Sequence, residues 1–233
     1  MPYIMHMPPE GPDKLSPYVC SVVMGYPMVV EHAQSPAERY GVIWDAPVFH
    51  WFSEKDRQKQ ICAYAADNSG VTLKEARAAF SYAEQALLTF RKRLTQMGQH
   101  VLDSAAQNHQ FAVVLAGRPY HTDPLISHHL SKQFTNHGIA VLTVDSLPGL
   151  QAVDLHNTGV EITNNYHTRM LAAAMLAAQN PALECVQLVS FGCGHDAVLT
   201  DEMTRIMTQC GHKSLLALKI DESEATKSEA KRS

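Results

Sequence analysis

Four short apolar runs in the second half of the chain constrain its fold more strongly than any other feature. They lie at residues 111–116, 139–144, 186–191 and 214–220. Segments with helical patterns separate them, at residues 124–137, 160–179 and 197–210. Strands that are apolar on both faces and alternate with helices are typical of a parallel sheet with helices on both sides. The sequence therefore predicts an α/β fold of the Rossmann or flavodoxin type.

A long helix is predicted immediately before the first apolar run. Thr72 followed by Glu75 has the pattern of a capping box, in which each side chain satisfies a backbone amide of the other residue. Behind it, apolar residues recur every three or four positions from Ala76 to Leu102, and only Gly98 weakens the pattern. The chain is thus expected to enter the α/β domain directly from a long helix.

The first third of the chain has a different composition. Seven of the twelve prolines precede residue 40, which predicts a segment rich in loops. The apolar run at residues 18–24 is interpreted as a buried strand within it. The sequence therefore divides into a loop-rich N-terminal segment that carries Cys20 (1–72), a long helix with an α/β domain (73–222), and a polar tail predicted to be disordered (223–233).

Charge and hydropathy exclude several classes of protein. The formal net charge is −4 and charged residues make up 18%, so Lys and Arg lack the excess that nucleic acids or anionic membranes attract. No apolar run approaches the roughly 20 residues of a membrane span, and the first residues lack the pattern of a secretory signal. The five cysteines include no C-x-x-C pair, which indicates reduced thiols. We therefore expect a cytoplasmic protein.

The loop after the third apolar run contains a cysteine between two glycines, Cys193. Ligands of open parallel sheets bind in such loops, beyond the carboxyl ends of the strands. The glycines leave room around the sulfur, and the helix that follows favours its thiolate form, which suits metal ligation or nucleophilic attack. Alternatively, the glycines make a tight turn, the cysteine fills space, and Asp196 caps the next helix.

The loop after the first apolar run offers four functional side chains within six residues. Arg118, Tyr120, His121 and Asp123 are candidates for binding an anionic cofactor, with the guanidinium as a fork for phosphate or carboxylate. Alternatively, Asp123 caps a helix that begins at Pro124. The loop is neither a G-x-G-x-x-G motif nor a phosphate-binding P-loop, and neither occurs elsewhere in the chain.

Several motifs occur together in the order and spacing of one known family. They are AGRPYHTDP at 116–124, VLTVDS at 141–146, YHTR at 166–169, QLVSFGCGHDAV at 187–198 and LKIDE at 218–222. Ahead of them, Cys20 is followed by Gly25-Tyr26-Pro27. Together they resemble the C-terminal region of the large CoA-substrate-specific enzyme activases, relatives of the 2-hydroxyglutaryl-CoA dehydratase system.

The resemblance implies a dehydratase-subunit-like domain that binds an iron–sulfur cluster, expected as 4Fe-4S, through the thiolates of Cys20 and Cys193. It also implies a partner, an ATPase module of the actin/sugar-kinase fold or a companion activase subunit. ATP hydrolysis by that module drives low-potential electron transfer to a dehydratase or reductase. Nothing in this chain resembles the phosphate loops of such a module.

This chain departs from the family pattern at particular positions. Ser21 replaces the proline that follows the front cysteine, residues 127–130 replace an Asn-His-Gly-Ile segment, and a further upstream cysteine is absent. A cubane cluster needs about four ligands. Two cysteines therefore imply a cluster shared across a homodimer or with another chain.

Two other functions stay open on the sequence alone. One is a degenerate, non-catalytic scaffold domain that docks on a partner subunit. The other is an acyl-CoA-binding domain in which Arg118 and His121 contact the thioester or a phosphate. Neither nucleic acid nor a membrane is expected as a partner, and the sequence does not decide whether the chain is itself an enzyme.

Overall fold

The structure is a computed structural model that describes residues 1–9, 17–162, 164–190 and 193–220. The described residues fall into two compact units. The first contains residues 1–9, 17–90, 162 and 164–166, and the second contains residues 91–161, 167–190 and 193–220. The tail at 223–233, for which disorder is predicted, lies outside the described residues. The domain boundaries expected from the sequence stay a prediction.

The first unit combines a small parallel sheet with helices. Strands β1 (Tyr3–His6) and β2 (Val48–His50) pair in parallel. The helices are α1 (Ser21–Gln34), α2 (Pro36–Tyr40), α3 (Glu54–Ser69) and α4 (Leu73–Gln107), whose residues from Arg91 onward belong to the second unit. This segment is more helical than its proline content predicts. Two of its prolines lie within helices: Pro27 is inside α1, and Pro36 is the first residue of α2.

The strand prediction for residues 18–24 is wrong, because α1 begins at Ser21. A short apolar run fits a buried strand and a buried helix equally well, so its pattern alone does not decide between them. Val19 and Cys20 are buried just ahead of the helix, in a cluster with Tyr166. Cys20 is the residue that precedes the first helical turn.

The capping box predicted at the start of α4 is confirmed. The backbone N–H of Thr72 donates to Glu75 Oε2 at 2.8 Å, and the backbone N–H of Glu75 donates to Thr72 Oγ1 at 3.2 Å. The helix that follows runs for 35 residues. Gly98, the one weak helix former in the predicted pattern, lies where a Cβ would meet the backbone oxygen of Ser146 at 1.9 Å. Close approach of another backbone therefore requires glycine there.

The second unit contains the predicted parallel sheet, which confirms the α/β fold. Its strands are β3 (Ala112–Ala116), β4 (Ala140–Thr143), β5 (Leu183–Ser190) and β6 (Leu216–Ile220), in the order β4-β3-β5-β6. Every neighbouring pair is parallel. Counted along the chain this order is 2-1-3-4, which is that of flavodoxin-like sheets. The helices are α5 (Leu130–Asn136), α6 (Asn165–Gln179), whose first two residues belong to the first unit, and α7 (Gly194–Gly211).

The helix predicted over residues 124–137 is shorter than expected, since α5 begins only at Leu130. Asp123 Oδ1 accepts a hydrogen bond from the backbone N–H of Leu125 at 2.8 Å, which makes a side-chain turn rather than a helix cap. His128 and His129 then adopt φ values of +48° and +55°, in the left-handed region. Two such residues in succession interrupt a right-handed helix.

Among the described residues, none of the helices combines the length and apolar character that crossing a bilayer would require.

Candidate functional site

The candidate site lies in the second unit, where the chain leaves the carboxyl ends of two adjacent strands. Arg118 follows β3, and Cys193 is the residue that precedes the first turn of α7, the helix after β5. Since β3 and β5 are parallel neighbours, their following loops meet at the same edge of the sheet. The two loops that the sequence singled out are thus brought together.

Arg118 forms a two-point ion pair with Asp196 at this edge. Its Nη2 lies 2.5 Å from Asp196 Oδ1, and its Nη1 donates to Asp196 Oδ2 at 3.0 Å. The side chains are 1% and 0% exposed, so the pair is fully removed from solvent. Two parallel N–H···O bonds between a guanidinium and a carboxylate fix the orientation of both groups. The pair therefore ties the loop after β3 to the first turn of α7.

The sulfur of Cys193 lies against the same guanidinium. Arg118 Nη2 donates to Cys193 Sγ at 3.6 Å. Cys193 is half-buried, whereas Arg118 is almost inaccessible. The site thus presents a half-buried cysteine whose sulfur accepts a hydrogen bond from a cationic donor.

Two histidines contact Arg118. The backbone N–H of Arg118 donates to His121 Nδ1 at 3.1 Å, and Arg118 Nη2 lies 3.4 Å from His167 Nε2 on α6. Burial, followed by the positive charge of Arg118, lowers the pKa of each imidazole to about 4, although Asp196 acts in the opposite direction. Both rings are therefore neutral near pH 7.

Gly117 makes room for this arrangement. A Cβ on Gly117 would approach His121 Nδ1 to 2.6 Å, closer than real Cβ contacts allow. The glycine therefore lets the His121 ring fold back under the loop and accept from the backbone of Arg118.

The other two candidates in the loop after β3, Tyr120 and Asp123, lie in different environments. Tyr120 is half-buried and meets the His121 ring edge-on, with 4.5 Å between ring centroids. Asp123 is exposed and closes the turn described above. The structure thus separates the four predicted residues into a buried pair, Arg118 and His121, and a more accessible pair. Anion binding by this loop stays a prediction.

Cys20, the other candidate ligand, belongs to the first unit. It is 7% exposed and packs with Val19 and Tyr166. Of the other cysteines, Cys62 and Cys185 are buried and Cys210 is exposed. Burial raises the pKa of Cys185 to about 12, so this thiol stays protonated.

The sequence does not predict the roles that two residues have at the site. Asp196 was interpreted as a possible helix cap, but Cys193 occupies the cap position and the Asp196 carboxylate binds a side chain 78 residues away. His167 lies 49 residues from Arg118. The only sequence signal for either was its position in a segment that resembles the activases.

Comparison with known protein families supports that resemblance. The model of a family described as CoA enzyme activase uncharacterised domain (DUF2229) matches residues 1–147. The chain belongs to this family. Separate searches of curated proteins and of solved structures found no match. The CoA enzyme activase match includes Cys20 and the loop with Arg118 and His121, whereas Cys193 and Asp196 follow it in the sequence.

Within the described residues, neither unit of the activase-family chain groups a complete set of cluster ligands. In the part of the chain that the structure describes, no three His, Cys, Asp or Glu side chains group in a way that would hold a metal ion. Each unit contains one of the two candidate ligands, Cys20 or Cys193. Cys193 fits a single thiolate ligand, because the residue is half-buried and its sulfur has an N–H donor. A cubane needs about four ligands, and the two candidate cysteines fall short of that number.

Proposed function

We propose that this activase-family chain is an iron–sulfur-binding, dehydratase-subunit-like component of a 2-hydroxyacyl-CoA dehydratase activase system. Its role is electron transfer, and ATP hydrolysis is carried out by modules outside this sequence. The proposal rests on one observation above all: Cys193 is half-buried, and its sulfur lies 3.6 Å from Arg118 Nη2 at the edge of the sheet.

The surroundings of Cys193 suit a thiolate that ligates iron. A thiolate ligand carries negative charge, and nearby N–H donors and cations stabilise it. Cys193 has both, because it precedes the first turn of α7 and its sulfur accepts from Arg118. Cys185 lacks these features and stays protonated, so it is not proposed as a ligand.

We propose Cys20 as a second ligand and a partner chain as the source of the others. A companion activase subunit or a second copy of this chain would serve. Apolar side chains exposed on one face of α1 support a partner: Val22, Tyr26 and Val29 are each more than half exposed. Ile43, nearby in the sequence, is 96% exposed. Exposed apolar side chains that lie together often mark surfaces that bind other proteins.

The location we propose is the cytoplasm, since cysteine thiols are kept reduced in that compartment. The acyl-CoA-binding alternative receives less support from the geometry. Arg118 and His121 are 1% and 2% exposed, and Arg118 would have to leave Asp196 to reach a phosphate or thioester. Removing a cation from a buried carboxylate is costly.

Anaerobic reconstitution of the full chain with ferrous iron, sulfide and a small thiol tests the proposal. The small thiol can occupy coordination positions that a partner would otherwise fill. We expect brown protein with bound iron and acid-labile sulfide. Cys193→Ala and Cys20→Ala should each lose most of the iron.

Cys210→Ala is the matched control, because Cys210 is an exposed thiol at the other end of α7. It should bind iron like the unmodified chain. Colourless protein after reconstitution would contradict the proposal and favour the non-catalytic scaffold. Equal iron loss in all three variants would show that the iron was bound nonspecifically to thiols.

A further inference from the structure

One face of helix α1 carries three apolar side chains that stay half exposed. Val22, Tyr26 and Val29 are 55%, 51% and 54% exposed, and their spacing of four and three residues places them on the same side of the helix. We call these three residues the α1 stripe. No residue from Ser21 to Val30 is charged, so the stripe is free of charge along its length. An exposed apolar surface of this kind favours contact with another protein over contact with water.

Gly25 leaves a gap within the α1 stripe. It lies three residues after Val22 and four before Val29, and residues at these spacings are neighbours on a helix surface. Among the described residues, no atom lies within 4 Å of a Cβ built on this glycine. Glycine weakens the interior of a helix relative to alanine. Since no contact with a described residue requires glycine here, close approach of a second molecule is a physical reason for it.

We infer that the α1 stripe binds a second copy of this chain, as an antiparallel helix pair with a two-fold axis midway between residues 25 and 26. In this arrangement Val22 lies opposite Val29 of the partner subunit, and Tyr26 lies over Gly25 of the partner subunit. The tyrosine ring fills the gap above the glycine, and the two-fold axis repeats both contacts. A surface that holds the gap and the group that fills it at symmetric positions is complementary to itself.

The charges at the two ends of α1 favour the antiparallel direction. The N-terminal end of a helix carries a partial positive charge, and the C-terminal end carries a partial negative charge. At the start of α1, Cys20 makes no side-chain cap hydrogen bond, and the first turn has no acidic residue. An antiparallel copy brings the last turn of its own α1 beside this positive end, whereas a parallel copy would place two positive ends together.

The size of the α1 stripe indicates a weak dimer. Three half-exposed side chains and a glycine on each copy bury much less than the roughly 800 Å² per partner of a stable interface. Association should therefore be reversible and should increase with protein concentration. Because dimerisation through α1 needs no iron, it is measured separately from the proposed function.

Analytical ultracentrifugation of the iron-free full chain tests the dimer. We expect the average mass to rise from 25.8 kDa toward twice that value as the concentration increases from the micromolar into the submillimolar range. Tyr26→Asp should weaken association roughly a hundredfold, because each dimer would bury two carboxylates without partners. The matched control is Tyr82→Asp, which changes a tyrosine that is 79% exposed on α4 and should leave association unchanged.

Gly25→Ala separates association from folding. Its methyl group has room in the single chain, but it occupies the space that the Tyr26 ring of the partner subunit needs. We expect this variant to fold and to associate about tenfold more weakly. Unchanged association in Gly25→Ala would overturn the inference. The same comparison decides if circular dichroism shows that Tyr26→Asp does not fold.

Crosslinking tests the direction of the helix pair. All chains carry Cys210→Ala, which removes the exposed thiol. A short thiol-reactive reagent should join Val22→Cys chains to Val29→Cys chains more efficiently than it joins either variant to itself. Equal self-crosslinking of Val22→Cys would indicate a parallel pair and overturn the arrangement.

Two further outcomes would overturn the dimer itself. A chain that stays monomeric at every concentration would leave the α1 stripe to a companion protein. Equal weakening by Tyr26→Asp and Tyr82→Asp would show that association is not specific to α1. Either result leaves iron binding, and with it the proposed function, to be judged by reconstitution.

Discussion

Arg118 and Asp196, 78 positions apart in the sequence, form a bidentate ion pair from which solvent is excluded. The pair joins the end of β3 to the beginning of α7 and lies beside the Cys193 sulfur. Such a pair is costly to break, because removal of one partner leaves the other as an uncompensated buried charge. Replacing one of the two residues should therefore destabilise the protein more than replacing both.

Asp196→Asn should lower the free energy of unfolding by about 3–5 kcal/mol, since Arg118 would remain charged and buried without its counter-ion. Urea or guanidinium denaturation followed by circular dichroism measures the change. The double variant Arg118→Met with Asp196→Leu removes both charges and should recover a large part of the loss. A single variant as stable as the unmodified chain would show that the pair contributes little.

The two buried histidines predict a pH dependence of stability. Burial holds the pKa of His121 and of His167 at about 4, below the ordinary value of 6.5 that each has in the unfolded chain. Between these values the unfolded state binds more protons than the folded state, so stability falls as pH falls from about 6.5 to about 4. The loss should approach about 3 kcal/mol for each histidine.

Denaturation curves at pH 7, 5.5 and 4.5 measure this slope. Replacing His167 by Gln, which keeps a polar side chain that does not titrate, should make the dependence shallower by the share of one histidine. A slope that is the same in the variant would contradict the assignment of the low pKa to His167.

Replacing glycine by alanine should have opposite effects on stability at Gly98 and at Gly25. A Cβ on Gly98 would meet the Ser146 oxygen at 1.9 Å, whereas a Cβ on Gly25 in α1 meets nothing within 4 Å. Gly98→Ala should therefore destabilise the protein by roughly 1–3 kcal/mol through overpacking. Gly25→Ala should stabilise it by about 0.5–1 kcal/mol, because alanine loses less entropy in a helix.

Thermal denaturation of the two variants side by side checks this prediction. Because both changes add one methyl group to a helix, intrinsic helix propensity alone would stabilise both. A rise in Tm for Gly98→Ala would therefore mean that α4 does not approach Ser146 as closely as the structure shows.

Replacing Gln187, in β5, by an apolar residue should stabilise the protein. Its side chain is 0% exposed in β5, and neither amide atom has a hydrogen-bond partner among the described residues. Burying an amide without partners is unfavourable. Gln187→Met, similar in length and without the amide, should raise the free energy of unfolding by about 1–2 kcal/mol.

Asn165→Leu is the comparison for that measurement, since Asn165 is 2% exposed but its Nδ2 donates to the Pro8 carbonyl at 3.1 Å. This variant should lose stability, because the Pro8 oxygen would be left without its donor. Loss of stability in Gln187→Met as well would indicate that the amide of Gln187 is hydrogen-bonded in solution.

The α/β architecture was predictable because its signals are local. The residues of β3 are all buried, and a strand buried on both faces reads as a continuous apolar run. The start of α4 was predictable because the Thr72 and Glu75 side chains satisfy each other's backbone within one turn.

The errors came where local patterns allow two structures. The run at residues 18–24 is apolar enough for a strand, yet it continues into α1 through Pro27. The start of α5 was placed too early, because Asp123 and Pro124 form a plausible helix start. The left-handed conformation of His128 and His129 has no signature in their side chains.

The candidate site was only partly predictable. Cys193 and Arg118 stood out because glycines and a strand end mark their loops. Asp196 and His167 did not, since their roles depend on a guanidinium 78 and 49 residues away.

The amino-acid sequence by itself determined the alternation of strands and helices, the long helix ahead of it, and the family to which the chain belongs. These properties arise from periodicity, capping and motifs, which act over a few neighbouring residues. Only the tertiary structure decided that Arg118 is bound to Asp196 and donates to the Cys193 sulfur. The reason is physical: the parallel pairing of β3 with β5 sets two distant loops side by side, and burial then makes their charges depend on one another.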